Sequence, residues 1–176
     1  LNYIKPPKIS SEHLVIRGEL IISKHNYEAY RDKFSNARNM VNGVVNSITI
    51  NPEYLKLVDF ICFEIIEPPM KPSEQFKLLN AQGFITPSPK LVSSETLIQN
   101  INSIPDSYLY KYLQLRKEQS PYDIDGIIVT QDVLYEQVSS GNPKHSIGFK
   151  ANSFGKVTII KNIEWNVSKH GVLIPK

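Results

Sequence analysis

The sequence predicts an α+β domain built largely of antiparallel sheets with flanking helices. Three observations lead there. Strand-like and helix-like segments are interspersed without the regular βαβ rhythm of a doubly wound sheet. Neither a Gly-x-x-x-x-Gly-Lys-Ser/Thr loop nor a Gly-x-Gly-x-x-Gly turn is present, so nothing supports a P-loop or dinucleotide-binding parallel sheet. The length, 176 residues, suits one domain with a real core.

The elements follow in order. Residues 14–22, with Val15, Ile16, Leu20, Ile21 and Ile22, are strongly β-prone. Arg17 and Glu19, two apart, share one strand face, where they read as a surface ion pair. Residues 26–33 read as a short helix capped by Asn26. Residues 34–45 mix turn formers with apolar residues, and Asn36 to Asn39 read as a polar loop whose Asn side chains bond their own backbone. Residues 55–66 read as a core strand that Pro68 and Pro69 end. Residues 72–82 read as a helix starting at Pro72 or Ser73 and closed by Gly83. Further helices are predicted over 94–102 and 106–118. A strand follows Asp125-Gly126, another covers 146–150, and a late strand covers 156–167.

Composition narrows the function classes. Apolar residues make up 41% and charged residues 21%, ordinary globular usage that excludes a wholly disordered or low-complexity chain. Net charge is only +3, so no strong field announces a polyanionic partner. The cations are skewed, with sixteen Lys against four Arg, alongside 22 Ile and 14 Asn against 4 Ala. Ile, Asn and Lys share A/T-rich codons, so the skew reflects genome composition. Each retained Arg is therefore notable, because Lys cannot replace a planar guanidinium in bidentate contacts. The single cysteine, Cys62, excludes an internal disulfide and a Cys-based zinc cluster; it reads as a buried, reduced thiol. The apolar runs are too short for a bilayer span and no signal peptide opens the chain. An intracellular protein (cytoplasm, nucleoid or a viral replication compartment) without membrane contact is expected. The start, Leu1-Asn2-Tyr3-Ile4 without Met, reads as a mid-chain connector.

Four segments hold candidate chemistry: Arg17-Gly18-Glu19; Asn36-Ala37-Arg38-Asn39; Asp123-Ile124-Asp125-Gly126; and Phe149-Lys150. Singly, each has an ordinary structural explanation: an ion pair, a loop, a turn, a solvated lysine. Together they supply what a bound nucleotide needs. Carboxylates hold ribose hydroxyls or a hard cation, while Arg and Lys neutralise phosphate charge and its growth in a transition state. His13, His25, His145 and His170 are scattered and read as surface or packing residues.

The order and wording of these segments resemble the nucleotidyltransferase (adenylation) domain of NAD⁺-dependent DNA ligases. Val15-Ile16-Arg17-Gly18-Glu19-Leu20 is similar to the family's V-R-G-E-V strand. Phe34-Ser35-Asn36-Ala37-Arg38-Asn39-Met40-Val41-Asn42-Gly43 is similar to F-A-N-P-R-N-A-A-A-G. Pro121-Tyr122-Asp123-Ile124-Asp125-Gly126-Ile127-Ile128-Val129 is similar to P-Y-E-I-D-G-V-V-I. Ile147-Gly148-Phe149-Lys150 resembles A-F-K-F, and Ile163-Glu164-Trp165-Asn166-Val167 to Pro175 resembles I-E-W-Q-V-G-R-T-G-V-L-T-P. The resemblance runs from about Ile4 to Lys176. It implies a nucleotidyltransferase (ATP-grasp-like) fold, with 1–164 the C-terminal larger part of the adenylation domain and 165–176 the start of an OB-fold domain.

The resemblance also implies roles. Glu19 would face the nucleotide sugar or metal. Arg38 would contact the nucleotide or its phosphates during adenylate transfer. Asp125, with Gly126 beside it, would assist adenylate and metal chemistry, and Lys150 would bind the adenylate phosphate. Arg116 or Lys117 would match a basic residue just before the Pro-Tyr segment; spacing favours Lys117 and chemistry favours Arg116. NAD⁺ as AMP donor, Mg²⁺, nicked duplex DNA and a monomeric state are implied, and no residue is assigned as a metal ligand. The departures are equally specific. The nucleophilic Lys-x-Asp-Gly does not occur in these 176 residues, so this stretch alone is not expected to self-adenylate. A family lysine is Thr130 here, and a second arginine is Asn46. A degenerate, DNA-binding module without chemistry is the alternative, and an ATP-using ligase or capping enzyme ranks third.

Overall fold

The computed structural model describes residues 13–49, 51–135, 143–151 and 159–175. The observed architecture is mixed, with helices set among three two-stranded antiparallel sheets. The main sheet pairs β1 (Val15–Ile22) with β2 (Val58–Glu67). Alternation sorts its faces. Ile16, Leu20 and Ile22 lie opposite Ile65, Phe60 and Val58, and Gly18 opposite Cys62. These form the inner face, while Arg17, Glu19 and Glu64 occupy the other. A register shift between Arg17 and Gly18 leaves Phe63 without a partner in the ladder, which lets Cys62 and Ile65, three apart, both point inward.

The inner face seats two helices. At one end Ile22, Val58 and Leu55 pack with Met40, Val41 and Val44 of α2 (Ala37–Val45). At the other, Cys62 and Ile65 pack with Phe84 and with Leu79 of α4 (Pro72–Ala81). Gly83, with φ +81°, follows α4 as expected. Burial pushes the Cys62 thiol up to about 11, so it stays protonated and unreactive at neutral pH.

Gly18 is required by close approach. A Cβ there would stand 2.5 Å from the Ile61 carbonyl oxygen and 2.6 Å from the Phe60 ring. Because the ring and the backbone cannot both move aside, Gly18→Ala is expected to destabilise the fold by about 1–3 kcal/mol, read as a lower urea midpoint.

Several expectations are corrected. The first short helix is α1 (Lys24–Glu28), capped by Ser23 rather than Asn26. Residues 36–39 are not a loop: Asn36 is the N-cap of α2, its side chain accepting the Asn39 N–H at 2.8 Å. The expected bond from an Asn side chain to nearby backbone is there, but it starts a helix. The strand expected over 55–66 begins at Val58, after the short helix α3 (Pro52–Leu55). The helix expected over 94–102 is only α5 (Ser94–Leu97). The one expected over 106–118 is α6 (Tyr108–Gln119), preceded by a 3₁₀ turn at Ile104–Asp106. The late strand shortens to β5 (Trp165–Val167), which pairs with β6 (Leu173–Pro175); residues 159–164 are not a strand, and 152–158 lie outside the described residues. Among the described residues no helix is long and apolar enough to cross a membrane.

Candidate functional site

Two strands and their lead-in carry half of the candidate residues. β3 (Ile127–Thr130) pairs with β4 (Ser146–Phe149). Ile127 opposite Phe149 brings Asp125, just before β3, next to Lys150, just after β4. The Lys150 ammonium donates to Asp125 Oδ2 at 2.7 Å. Gly126 makes this approach feasible, since a Cβ would meet the Phe149 carbonyl oxygen at 2.7 Å and Lys150 Cγ at 2.8 Å. Its place in the expected pocket is thus one of packing: the lysine stem occupies the space a side chain would need.

Two more come from β1 and α2. Glu19 extends from the outer face of β1, and Arg38 from the first turn of α2, with Nη2 3.9 Å from Glu19 Oε1. That is an ion-pair contact, too long for a hydrogen bond. The first turn of α2 holds no acid, although a helix N-terminus favours negative charge. Arg38 there adds positive charge to an already positive end. This suits an incoming anion better than it suits the helix.

The two pairs are electrostatically joined. The Asp125 carboxyl is held below its ordinary range, chiefly by the hydrogen bond from Lys150, then by the lysine's charge, with the Arg38 guanidinium adding to the same effect. All four side chains are well exposed, between 60% and 80%. Such exposed pairs typically contribute about 0–1 kcal/mol, so stability does not explain the grouping. Two anions and two cations, facing solvent and loosely held, can exchange one another for a phosphate or a metal ion.

A titration checks the pairing. In Lys150→Gln the Asp125 carboxyl is expected to titrate closer to the ordinary aspartate range by carboxyl NMR. A depressed folded pKa means that the pair's contribution is present above the unfolded pKa and lost as pH falls through the lower, folded one. An unmoved Asp125 resonance would show that Lys150 is not its partner.

The expected Arg17–Glu19 ion pair is not formed. Arg17 Nη1 instead donates to Glu64 Oε2 on β2 at 2.7 Å, its cross-strand neighbour, which leaves Glu19 to Arg38. Arg116 donates to the Pro87 carbonyl oxygen at 3.2 Å, on the connector before α6 and not in the four-residue group. The Lys117 carbonyl accepts the Lys24 ammonium at 3.0 Å, as does that of Ser120. Thr130 bonds Ser146 through their hydroxyls at 2.9 Å, and the Asn46 amide donates to the Asn42 carbonyl at 3.0 Å. Both positions are thus used locally. Among the described residues no group of three or more His, Cys, Asp or Glu could hold a metal ion.

Sequence reasoning missed the groups that hold the site's halves together. The Tyr122 hydroxyl donates to Asp59 on β2 at 3.0 Å. Burial, and then this bond to a carboxylate, push the phenol up to about 12. Asp132 accepts the Ser73 N–H in the first turn of α4 at 2.9 Å, where helix polarity favours a carboxylate. The Lys24 ammonium serves the C-terminal end of α6 in the converse sense. Tyr122 lies inside a segment the sequence singles out, but its partner is 63 residues away; no local pattern links them.

Comparisons with known proteins bear on this arrangement. No protein-family model matches the chain. It is 39% identical over 168 residues to a protein named DNA ligase from Acanthamoeba polyphaga mimivirus, covering 94% of this chain and 25% of that protein. It is 32% identical over 172 residues to "Putative DNA ligase 052L" of Invertebrate iridescent virus 3, covering 92% of this chain and 22% of that one. A DNA ligase of Brachyspira hyodysenteriae is 26% identical over 175 residues, with 92% and 26% covered. The chain thus spans about a quarter of the length of the curated relatives it matches.

Proposed function

We propose that this chain forms most of the adenylate pocket of an NAD⁺-dependent DNA ligase that seals nicks in duplex DNA. The observation that carries the reading is the formation of two exposed cation–carboxylate pairs, Arg38 with Glu19 and Lys150 with Asp125, from the four segments that resemble a nucleotide site. Similarity to proteins named DNA ligase over nearly the whole chain supports it. Under this reading the fold is a nucleotidyltransferase fold and the DNA strand is the acceptor.

Such sealing runs through three displacements. A lysine amine outside this stretch attacks the AMP phosphorus of NAD⁺, forming the P–N bond and expelling nicotinamide mononucleotide. The 5′-phosphate oxygen of the nick takes the AMP and frees the lysine. The 3′-hydroxyl then attacks the 5′-phosphate, loses its proton and expels AMP. This chain's residues position and neutralise charge: Lys150 and Arg38 leave their carboxylates for phosphate oxygens, and Glu19 turns to the sugar. Glu19 and Asp125 suit Mg²⁺ only as an ion shared with substrate phosphates, which is how that ion is usually held; it would offset phosphate charge there.

Thr130 and Asn46 motivate a second reading, a ligase-like module that grips DNA without chemistry. Incubating the full-length protein with NAD⁺ labelled in its adenylate separates the two. A covalently labelled band that survives denaturing electrophoresis and is released by acid but not by alkali, as a P–N bond is, is expected, with label from NAD⁺ but not ATP. No band from either nucleotide sinks the ligase reading in favour of the module. A band from ATP alone moves the protein to the ATP-using branch.

A further inference from the structure

A cavity of about 290 Å³ lies between α6 and the segments before it, and shares no residue with the four-residue group. Its walls include Tyr108 and Tyr112, one helical turn apart, with rings parallel to within 8° and centroids 5.9 Å apart. The Lys90 ammonium lies 5.7 Å from each ring centroid. Lys111 faces Asp106 at 3.9 Å, and Asp106 also accepts the Ser103 hydroxyl at 2.9 Å. With its charge thus engaged, the lining carries one net positive charge from two lysines and one aspartate. Among the described residues the Tyr108 hydroxyl is shut off from solvent and has no hydrogen-bond partner. Asn100, on the rim, has φ +53°, and Ser88, two residues before Lys90, has the same value. Arg116 pins the connector that carries Lys90 through the Pro87 carbonyl.

Two stacked aromatic rings with ammonium groups of Lys90 and Lys111 in the same lining match a ligand with one planar ring system and one anionic group. The volume is at the low end of small-molecule pockets, roughly 300–1,000 Å³, room for one such unit and not for a run of them. We propose that this cavity binds a single unpaired nucleotide, its base against the Tyr108–Tyr112 pair and its phosphate at Lys90 and Lys111. Stacking on aromatics beside cations is how unpaired bases are held without sequence preference. The choice of nucleotide over another planar anion rests on the proposed function. The nucleotide can come from a single strand, as at a frayed or flapped DNA end, or be free in solution.

The test is fluorescence anisotropy on the full-length protein with labelled oligothymidylate, an abasic strand of equal length, and AMP as competitor. Oligothymidylate is expected to bind more tightly than the abasic strand. Tyr112→Ala should weaken it by roughly five- to 150-fold, the range spanned by single base–aromatic stacks. Lys90→Gln, on an exposed connector and safe for folding, should weaken it and lower the salt slope by about 0.7. If instead only AMP binding responds to Lys90→Gln and Tyr112→Ala, and not to Asp125→Asn, the source is the free nucleotide. Equal binding of both strands, with neither strand nor AMP binding altered in Lys90→Gln, overturns the proposal. Lys90-dependent binding in a protein that forms no adenylate would retire the ligase reading and keep this one.

Discussion

Replacing Lys150 by Gln in the full-length protein is expected to slow nick sealing by on the order of 10²–10³-fold, the usual cost of losing one preorganised charge-stabilising group. The loss should fall on the rate of adenylyl transfer and little on folding. Lys150 is two-thirds exposed and its pair with Asp125 is of the kind that contributes little stability, so the melting temperature should stay close to that of the parent. Lys150→Arg should recover only part of the rate. It restores the charge, but a guanidinium fork cannot take the place of a compact ammonium beside Gly126, where the lysine stem fills the space against the backbone. Single-turnover assays on pre-adenylated protein would isolate the step. A Lys150→Gln rate within a factor of about three of the parent would remove Lys150 from the phosphate site, since a charge-stabilising group is worth far more.

Met40→Ala is expected to cost about 2–5 kcal/mol, the range for emptying a fully buried Met position. Met40 is wholly buried between β1, β2 and the end of α3, with Ile22, Val44, Leu55 and Val58 around it. Its neighbours belong to different elements, so the cavity cannot close by one side chain turning in. The substitution also has a functional reading. Arg38 precedes Met40 by two residues on α2, and the packing of Met40 holds that helix against the sheet bearing Glu19. AMP affinity should therefore fall with stability in Met40→Ala, whereas Met40→Leu, which conserves volume, should cost under about 1.5 kcal/mol and keep affinity. Urea unfolding and calorimetric AMP titration of the full-length protein check both. Full stability in Met40→Ala would contradict the described core.

The legible features of the chain are those written in short stretches. The alternation in Val15–Ile22 specifies a half-buried strand, Pro72 and Gly83 bracket α4, and the spacing of Asp125-Gly126 from the apolar run places both at the entrance of β3. The helix α2 shows where that legibility fails. Ala37, Met40, Val41, Val44 and Val45 recur at helical spacing, but Asn39, Asn42 and Gly43 between them are poor helix formers and favour turns. Burial of Met40, Val41 and Val44 on the sheet outweighs that preference. Conversely, β-prone Ile159 and Ile160 are not in a strand, and both are well exposed; a strand forms only where a neighbour accepts its backbone bonds.

Identity and order of the chemical groups were therefore readable from the chain alone: two carboxylates, a guanidinium and an ammonium in segments that looked like a nucleotide site. Their pairing was not. Arg17 and Glu19 share a face and are two residues apart, yet Arg17 bonds Glu64 and Glu19 faces Arg38. Strand neighbours two apart are held about 6–7 Å from each other by the pleat, while a partner across the sheet or on a packed helix can come within bonding distance. Which helix packs there, and so which cation reaches Glu19, depends on Met40 and Val44 filling the space beside Ile22 and Val58, a contact between residues far apart along the chain.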